Sequence, residues 1–584
     1  LSHAPTRQSE SAGSIDAAYR ATLASLVADD AIGRLRARDP GLWTADAATA
    51  ATIQSRLGWL DAPQWLRDRI PELKTFAADV RSAGFTRILL LGMGGSSLAP
   101  EVFQRVAVAG PGAPTLEVLD STDPASIQNA EAAARLDHTF FLVASKSGAT
   151  IETLSQYRYF RSRVEAHGLP QPGGRFAAVT DAGSALDRLA TEGGFRRVFR
   201  NPNDVGGRFS ALTYFGAVPA ALLGLDLDAL AERAAAARDQ SLADDAAENG
   251  ALRLGALLGA AARSGRDKLT LLTTPALRPL GYWVEQLVAE STGKEGTGII
   301  PIEGEPLGPA HHYGSDRVHL SIVLDGEPDA DIARLETDLG RAGTPCIRIE
   351  LPDRDSIAGE FYRWEVATAI AGAILRINPF DEPNVRESKE NTEAILASLE
   401  KSGALPAEEP RAHGEGVEIY APERVWTQLQ AGTPSMASLE MVLNRFLALA
   451  SPGGYLALLA YLERTAAAEA SFLLLRRAVR NAVHVPALQG YGPRYLHSIG
   501  QLYKGGPKGG IFLEITVADP TDIQVPGRKY SFGQLKSAQA LGDYAALEKH
   551  GRPVLRLHLT QGAEAGLRVV ASAMERALAA KQNA

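Results

Sequence analysis

The sequence predicts an α/β protein built on parallel sheets, and three observations carry the prediction. Short apolar runs of strand length recur, Gly- and Ser-rich turns follow the early ones, and segments with apolar residues at helical spacing follow the turns. The clearest unit is RILLLG at residues 87–92, followed by Gly-Gly-Ser-Ser and a helical pattern that begins near Leu98. It recurs at residues 139–160 (TFFLVASKSGATIETLSQYRYF), and RFAAVTD supplies the next strand. Ahead of these units, after a polar tail, residues 14–82 read as helices carrying Trp43, Trp59 and Trp65 for packing.

A helical stretch at 211–262 leads to a second alternation. Its strands are KLTLLTT, RVHLSIVLDG and CIRIELPD, with a helix around 281–291 and another at 356–375 that Pro379 and Pro383 bring to an end. Residues 402–416 hold Gly, two Pro and several charges without apolar periodicity, which marks a linker. Beyond it, YLALLAYL, GGIFLEITV and PVLRLHL alternate with helical patterns near 466–483, 532–549 and 564–581. The expected division is a helical lead-in over 1–82, α/β domains over 83–235 and 236–400, a linker over 401–416 and a C-terminal α/β extension over 417–584.

At 584 residues the chain exceeds what one hydrophobic core sustains, in keeping with several domains. Its 45 % hydrophobic and 22 % charged residues are those of an ordinary soluble globular protein. A net charge of -8 provides no basic footprint, which argues against nucleic acid or an anionic membrane as the main partner. The single cysteine, Cys346, permits no intrachain disulfide and no thiolate cluster, which fits a reducing cytoplasm. The sequence contains no apolar run of the roughly 18 residues that a membrane helix needs. No His/Asp/Glu spacing suggests a metal site, and no cofactor is expected.

The Gly-rich turns are the first candidates for chemistry. Free backbone N–H groups and the positive end of a helix dipole together suit a phosphate. In GMGGSSLAP, Gly94 and Gly95 permit close backbone approach and Ser96 offers a hydroxyl, although a tight turn with Ser capping the helix would use the same residues. In ASKSGATIET, the hydroxyls of Ser145, Ser147 and Thr150 surround Gly148, with no acid before Glu152, a composition that favours a dianion, although a helix capped by Ser145 and Thr150 would use two of the same residues. Neither turn fits the P-loop pattern, and Gly293-Lys294 is followed by Glu295 where that pattern needs Ser or Thr.

Three further segments carry a family resemblance. VGGRFSALTYFG (205–216) and VAESTGKEG (288–296) resemble the two signature segments of the glucose-6-phosphate isomerase family, and NPFDEPNVRESKENT (378–392) resembles the stretch with its catalytic lysine. The resemblance spans about 87–392, and the extension is similar to the isomerase half of transaldolase/glucose-6-phosphate isomerase fusions. It implies two sugar-isomerase (SIS) type three-layer domains, a hexose 6-phosphate substrate, a cytoplasmic enzyme of sugar metabolism and a homodimer. It also implies a metal-free aldose–ketose isomerisation through ring opening and an enediolate.

On that resemblance Glu290 is the expected base, with a pKa that desolvation could raise, and Arg208 the expected stabiliser of the enediolate. Gly95, Ser96, Ser145, Lys146, Ser147 and Thr150 would bind substrate, and Lys389 would assist ring opening. The histidine partner departs from the family order. Between the glutamate and the lysine stand only His311, His312 and His319, whereas LHSIGQLYKGG, with His497, resembles the family's histidine motif but follows the lysine. His497 is therefore expected to open the ring, with His312 as runner-up, and Lys536 in YSFGQLKSAQALGD competes with Lys389. Two other functions remain open at this point: a non-catalytic sugar-phosphate sensor on the same fold, and an isomerase for another hexose such as mannose 6-phosphate.

Overall fold

The structure, a computed structural model, describes residues 5–406, 408–432, 436 and 438–582, the side chains of the last three excepted. Ala407 in the expected linker, a few positions near 435 in the expected extension and the extreme chain ends lie outside the described residues. In chain order the strands are β1 (Arg7–Ser11), β2 (Arg87–Gly92), β3 (Thr115–Leu119), β4 (Thr139–Ala144), β5 (Phe176–Asp181), β6 (Arg197–Asn201), β7 (Lys268–Thr273) and β8 (Ile300–Ile302). They continue with β9 (Arg317–Leu324), β10 (Cys346–Leu351), β11 (Ala412–Gly414), β12 (Val417–Tyr420), β13 (Tyr455–Tyr461), β14 (Ala487–Tyr491), β15 (Gly510–Val517) and β16 (Val554–Leu559).

The strands form three sheets. The first, β3-β2-β4-β5-β6, is parallel throughout. The second, read as β8-β7-β9-β10-β1, repeats that order with an antiparallel strand at one edge. In both, the first strand of the unit lies between the second and the third, so each sheet has a switch point where consecutive connections leave in opposite directions, the usual place for a ligand crevice in such sheets. The third sheet, β11-β12-β16-β15-β13-β14, is parallel from β16 to β14 and closes on an antiparallel hairpin.

The apolar runs form strands because both faces of each sheet are covered, which is where near-continuous hydrophobic strands belong. One core runs beneath the first two sheets, joining Leu90 and Leu142 to Leu271, Leu320 and Ile349, with the N-terminal helices packed against it. The third sheet divides its residues by the two-residue strand period. Leu456, Leu458 and Ala460 face its own helices, whereas Tyr455, Ala457, Leu459 and Tyr461 pack towards Ala289, Ile300 and Ile302 of the second unit. Phe532, Leu535 and Ala538 in turn join Leu89, Leu91, Phe141 and Val143 of the first sheet. No described helix is long and apolar enough to cross a membrane.

The structure departs from the sequence expectations at the sheet edges. The polar N-terminal tail contributes β1, whose residues alternate between half-buried and exposed as they pair with β10, and Glu10 binds Arg253 at 2.7 Å. The expected linker contains β11, which pairs with β12. The strands β3, β6, β8 and β14 also escaped the apolar-run criterion, because they are short, polar or interrupted by Pro and Gly.

The third unit is held on the first by buried charge. Lys536, 1 % exposed, donates to Asp123 at 2.7 Å and also binds Asp519. Asp123 in turn caps the helix Pro124–Ala133. Removing one partner of a buried pair leaves an uncompensated charge, at a typical cost of about 3–5 kcal/mol. Lys536→Ala should therefore lower the midpoint of urea unfolding followed by circular dichroism, and Lys536→Arg should recover part of the loss. An unchanged midpoint would show that this pair does not hold the units together.

Candidate active site

The switch point of the first sheet opens into a cavity of about 800 Å³. Two glycines bring its walls together. Gly94 has φ +55°, and a Cβ there would stand 2.4 Å from the His497 carbonyl oxygen. A Cβ on Gly95 would stand 2.2 Å from the carbonyl oxygen of Gly207. The turn after β2 thus meets both the turn that carries Arg208 and the third unit at backbone distance, which any side chain would prevent.

Arg208 is 3 % exposed, and its guanidinium organises one end of the cavity. Nε donates to Ser291 Oγ at 2.8 Å, one terminal nitrogen donates to the carbonyls of Pro379 and Asp381 at 2.8 and 2.9 Å, and the other binds Glu382 at 3.0 Å and Glu290 at 3.2 Å. The fixed fork of donors suits arginine to this multiple role. Glu290 lies near the C-terminal end of the helix Arg278–Thr292, is 8 % exposed and accepts from Gln286 at 3.1 Å. Burial pushes its carboxyl above the ordinary value, Arg208 opposes the rise and the Glu382 charge adds to it. Lys294, pulled down to about 8 by burial, donates to the Asn378 carbonyl at 2.7 Å and to Asp381 Oδ1 at 2.7 Å. It holds the 378–382 loop against Arg208.

The second Gly-rich turn follows β4 and opens the helix Ile151–Ala166. Gly148, with φ +67°, supplies its left-handed residue. Ser147 and Thr150 line the cavity, together with Ser96 from the first turn. Ser145, 1 % exposed, hydrogen-bonds Thr150 at 2.8 Å and accepts the Gly148 N–H at 3.1 Å, so it braces the loop from beneath instead of lining the cavity. Lys146 binds Asp181 and the Asn203 carbonyl at the rim.

His497 enters the cavity from the third unit, on the short turn Arg494–His497. Its Nε2 lies 2.8 Å from Glu152 Oε1, and Gln539 donates to the same oxygen at 2.7 Å. Gln286 links the two groups by donating to the His497 carbonyl at 2.8 Å as well as to Glu290. Burial alone would raise the Glu152 carboxyl, but His497, the helix start and Lys389 bring it below its ordinary value. An ionised acid against a ring nitrogen fixes the orientation of the imidazole. Lys389, exposed on the helix Val385–Ser402, reaches the same cavity.

One cavity therefore brings together Gly95, Ser96, Lys146, Ser147, Thr150, Arg208, Glu290, Lys389 and His497. Two sequence candidates lie elsewhere. His312, on the second unit, packs against His311 and against His484 of the third unit and is not a lining residue of this cavity. Lys536 is committed to Asp123 and Asp519 and does not line it either. Sequence reasoning missed Glu152, Gln286, Glu382 and Gln539. Glu152 carried a signal, as the first acid after an otherwise hydroxyl-rich loop, whereas the others are ordinary polar residues until the fold assembles them.

The family model described as phosphoglucose isomerase matches residues 69–299, which include Arg208, Glu290 and both Gly-rich turns. The chain is 30 % identical over 401 residues to the glucose-6-phosphate isomerase of Symbiobacterium thermophilum, an alignment covering 58 % of this chain and 86 % of the relative. It is likewise 30 % identical over 403 residues to that of Clostridioides difficile, with the same coverage. A hypothetical protein from Thermus thermophilus shares the fold, with a TM-score of 0.57 and 24 % identity over 67 % of this chain and 100 % of that one. With similarity of this degree sustained over most of the relatives' length, the chain belongs to the glucose-6-phosphate isomerase family.

Proposed function

We propose that this chain interconverts glucose 6-phosphate and fructose 6-phosphate through an enediolate. The observation that carries the proposal is the Glu290 carboxylate 3.2 Å from the Arg208 guanidinium, in a cavity also lined by a hydroxyl-rich turn that opens a helix of 16 residues. The phosphate is bound by Ser96, Ser147, Thr150 and the amides of that turn, where the helix dipole favours an anion. Glu290 then moves the proton between C1 and C2. Its raised pKa improves it as a base. Arg208 stays charged throughout and stabilises the oxygens of the enediolate. His497, oriented by Glu152, and Lys389 exchange protons with the ring oxygen and the anomeric hydroxyl of the closed sugar.

A cytoplasmic homodimer belongs to the same proposal, as does kinship of the third unit with the isomerase half of transaldolase fusions. The single cysteine fits a reducing compartment; burial, aided by Glu336, pushes its thiol up to about 11, which leaves it unreactive. The dimer rests on the family resemblance.

The deciding experiment is conversion of fructose 6-phosphate to glucose 6-phosphate in the presence of a chelator, by the unmodified chain and by Glu290→Gln. The variant should lose about 10²–10⁴-fold in kcat. Undiminished turnover would remove Glu290 from the mechanism, and binding without turnover by the unmodified chain would identify a sensor.

The pH profile provides a second test. Glu290 must be ionised to act, so kcat/KM should fall on the acid side with an apparent pKa above the ordinary carboxyl value. Glu382→Gln removes a like charge that raises that pKa, so its acid limb should move to lower pH. His497→Ala and Glu152→Gln are both expected to slow enzyme-catalysed exchange between the α and β anomers of glucose 6-phosphate, observed by NMR. Normal exchange in His497→Ala would exclude this histidine from ring opening.

A further inference from the structure

The second sheet repeats the strand order of the first, and it too has a cavity at its switch point, of about 520 Å³. The carboxyl ends of all three strands around that point converge on it: Leu272 and Thr273 end β7, Gly304 to Leu307 follow β8, and Asp329 follows β9. The helix Ala466–Val483 of the third unit forms the outer wall with Leu473, Leu474 and Arg477. Open parallel sheets bind ligands at such positions, and a volume in this range accommodates a small molecule.

The lining differs from that of the first cavity. Leu307, Leu473 and Leu474 are 38 %, 38 % and 42 % exposed, among the few large apolar side chains left open to solvent, and all three face this one cavity. Clustered exposed apolar surface marks an interaction site where scattered residues would not. Two cations flank it. Arg278 and Arg477 are exposed, and neither makes an ion pair or a side-chain hydrogen bond among the described residues. Of the acids of the wall, Glu305 is paired with Arg317 at 2.5 Å, and Asp329 is turned to the amides of Asp331 and Ile332, which leaves one carboxylate against two guanidiniums. Behind the wall, burial pushes Glu303 up to about 7, with Arg476 and then Arg278 opposing it, so it competes weakly for Arg278.

We propose that the switch point of the second sheet is a second ligand site, selective for a small molecule that carries a carboxylate or phosphate on an apolar body. The apolar wall takes the body, and Arg278 with Arg477 takes the anion. A free sugar phosphate lacks the apolar surface to fill it. The uncommitted guanidiniums favour an anion over a neutral or cationic ligand, because arginine pairs with carboxylate and phosphate by charge-assisted hydrogen bonds.

Isothermal titration calorimetry of the full chain tests this with naphthoate, naphthyl phosphate and the neutral naphthylmethanol as probes. Each titration is run with and without saturating fructose 6-phosphate, so that binding at the first cavity is separated from binding at the second and the outcome does not depend on catalysis. The expected result is one equivalent of an anionic probe bound in the presence of fructose 6-phosphate, with naphthylmethanol weaker by roughly tenfold or more. The preferred anion then distinguishes a carboxylate from a phosphate ligand. Arg278→Glu with Arg477→Glu, on exposed positions outside the first cavity, should abolish that binding while turnover persists. No binding to the unmodified chain, or binding that survives both substitutions, would overturn the proposal. So would sedimentation showing that Leu473→Asp splits an oligomer, since a second copy would then cover the groove.

Discussion

A buried arginine between two acidic side chains is the constraint on which the arrangement of this molecule turns. Arg208 cannot lose its charge, so its removal from water has to be offset by donors and acceptors drawn from every side. Those acceptors come from Ser291 and Glu290 on one helix and from the 378–382 loop at the end of another. The result brings the first and second units together at one point and places a carboxylate with a raised pKa beside a permanent cation. Glycines make the approach possible, since a side chain at Gly95 would collide with the backbone next to Arg208.

The third unit completes the cavity by a different means. Its sheet covers the second unit through apolar packing, and to the first it adds buried polar contacts beside the apolar cluster of Phe532 and Leu535: Lys536 to Asp123, Gln539 to Glu152 and Arg494 to Asp120. Polar contacts of this kind are directional, so they define register where apolar packing alone would tolerate sliding. The same helix that docks the unit through Lys536 delivers Gln539 to the acid that holds His497. Docking and orientation of the histidine are in this way one structural event.

Much of the fold was legible because both faces of its central strands are buried. Burial writes unbroken apolar runs, and β4 and the helices Ala466–Val483 and Phe532–Lys549 fall where the pattern places them. Edge strands obey another rule. β1 is held by backbone pairing to β10, which demands no apolar side chains, and so it reads as a polar tail. β8 is three residues long and contains Pro301, too little for a periodic signal.

The candidate site divides in the same way. Local sequence determined the elements that depend on backbone conformation: the Gly94 and Gly148 turns with their hydroxyls, the helix carrying Glu290 and the Gly-flanked Arg208. Glycine at a left-handed position, or a small polar residue at a helix start, is a requirement that neighbours in sequence can state. The motif resemblance named His497, but that it reaches the cavity from the third unit, that Glu152 and Gln539 hold it there and that Lys536 serves docking were decided by the tertiary structure. These facts join residues as much as 413 positions apart, and the local pattern can offer a candidate side chain but not its partner, which is set only when the third unit packs on the first.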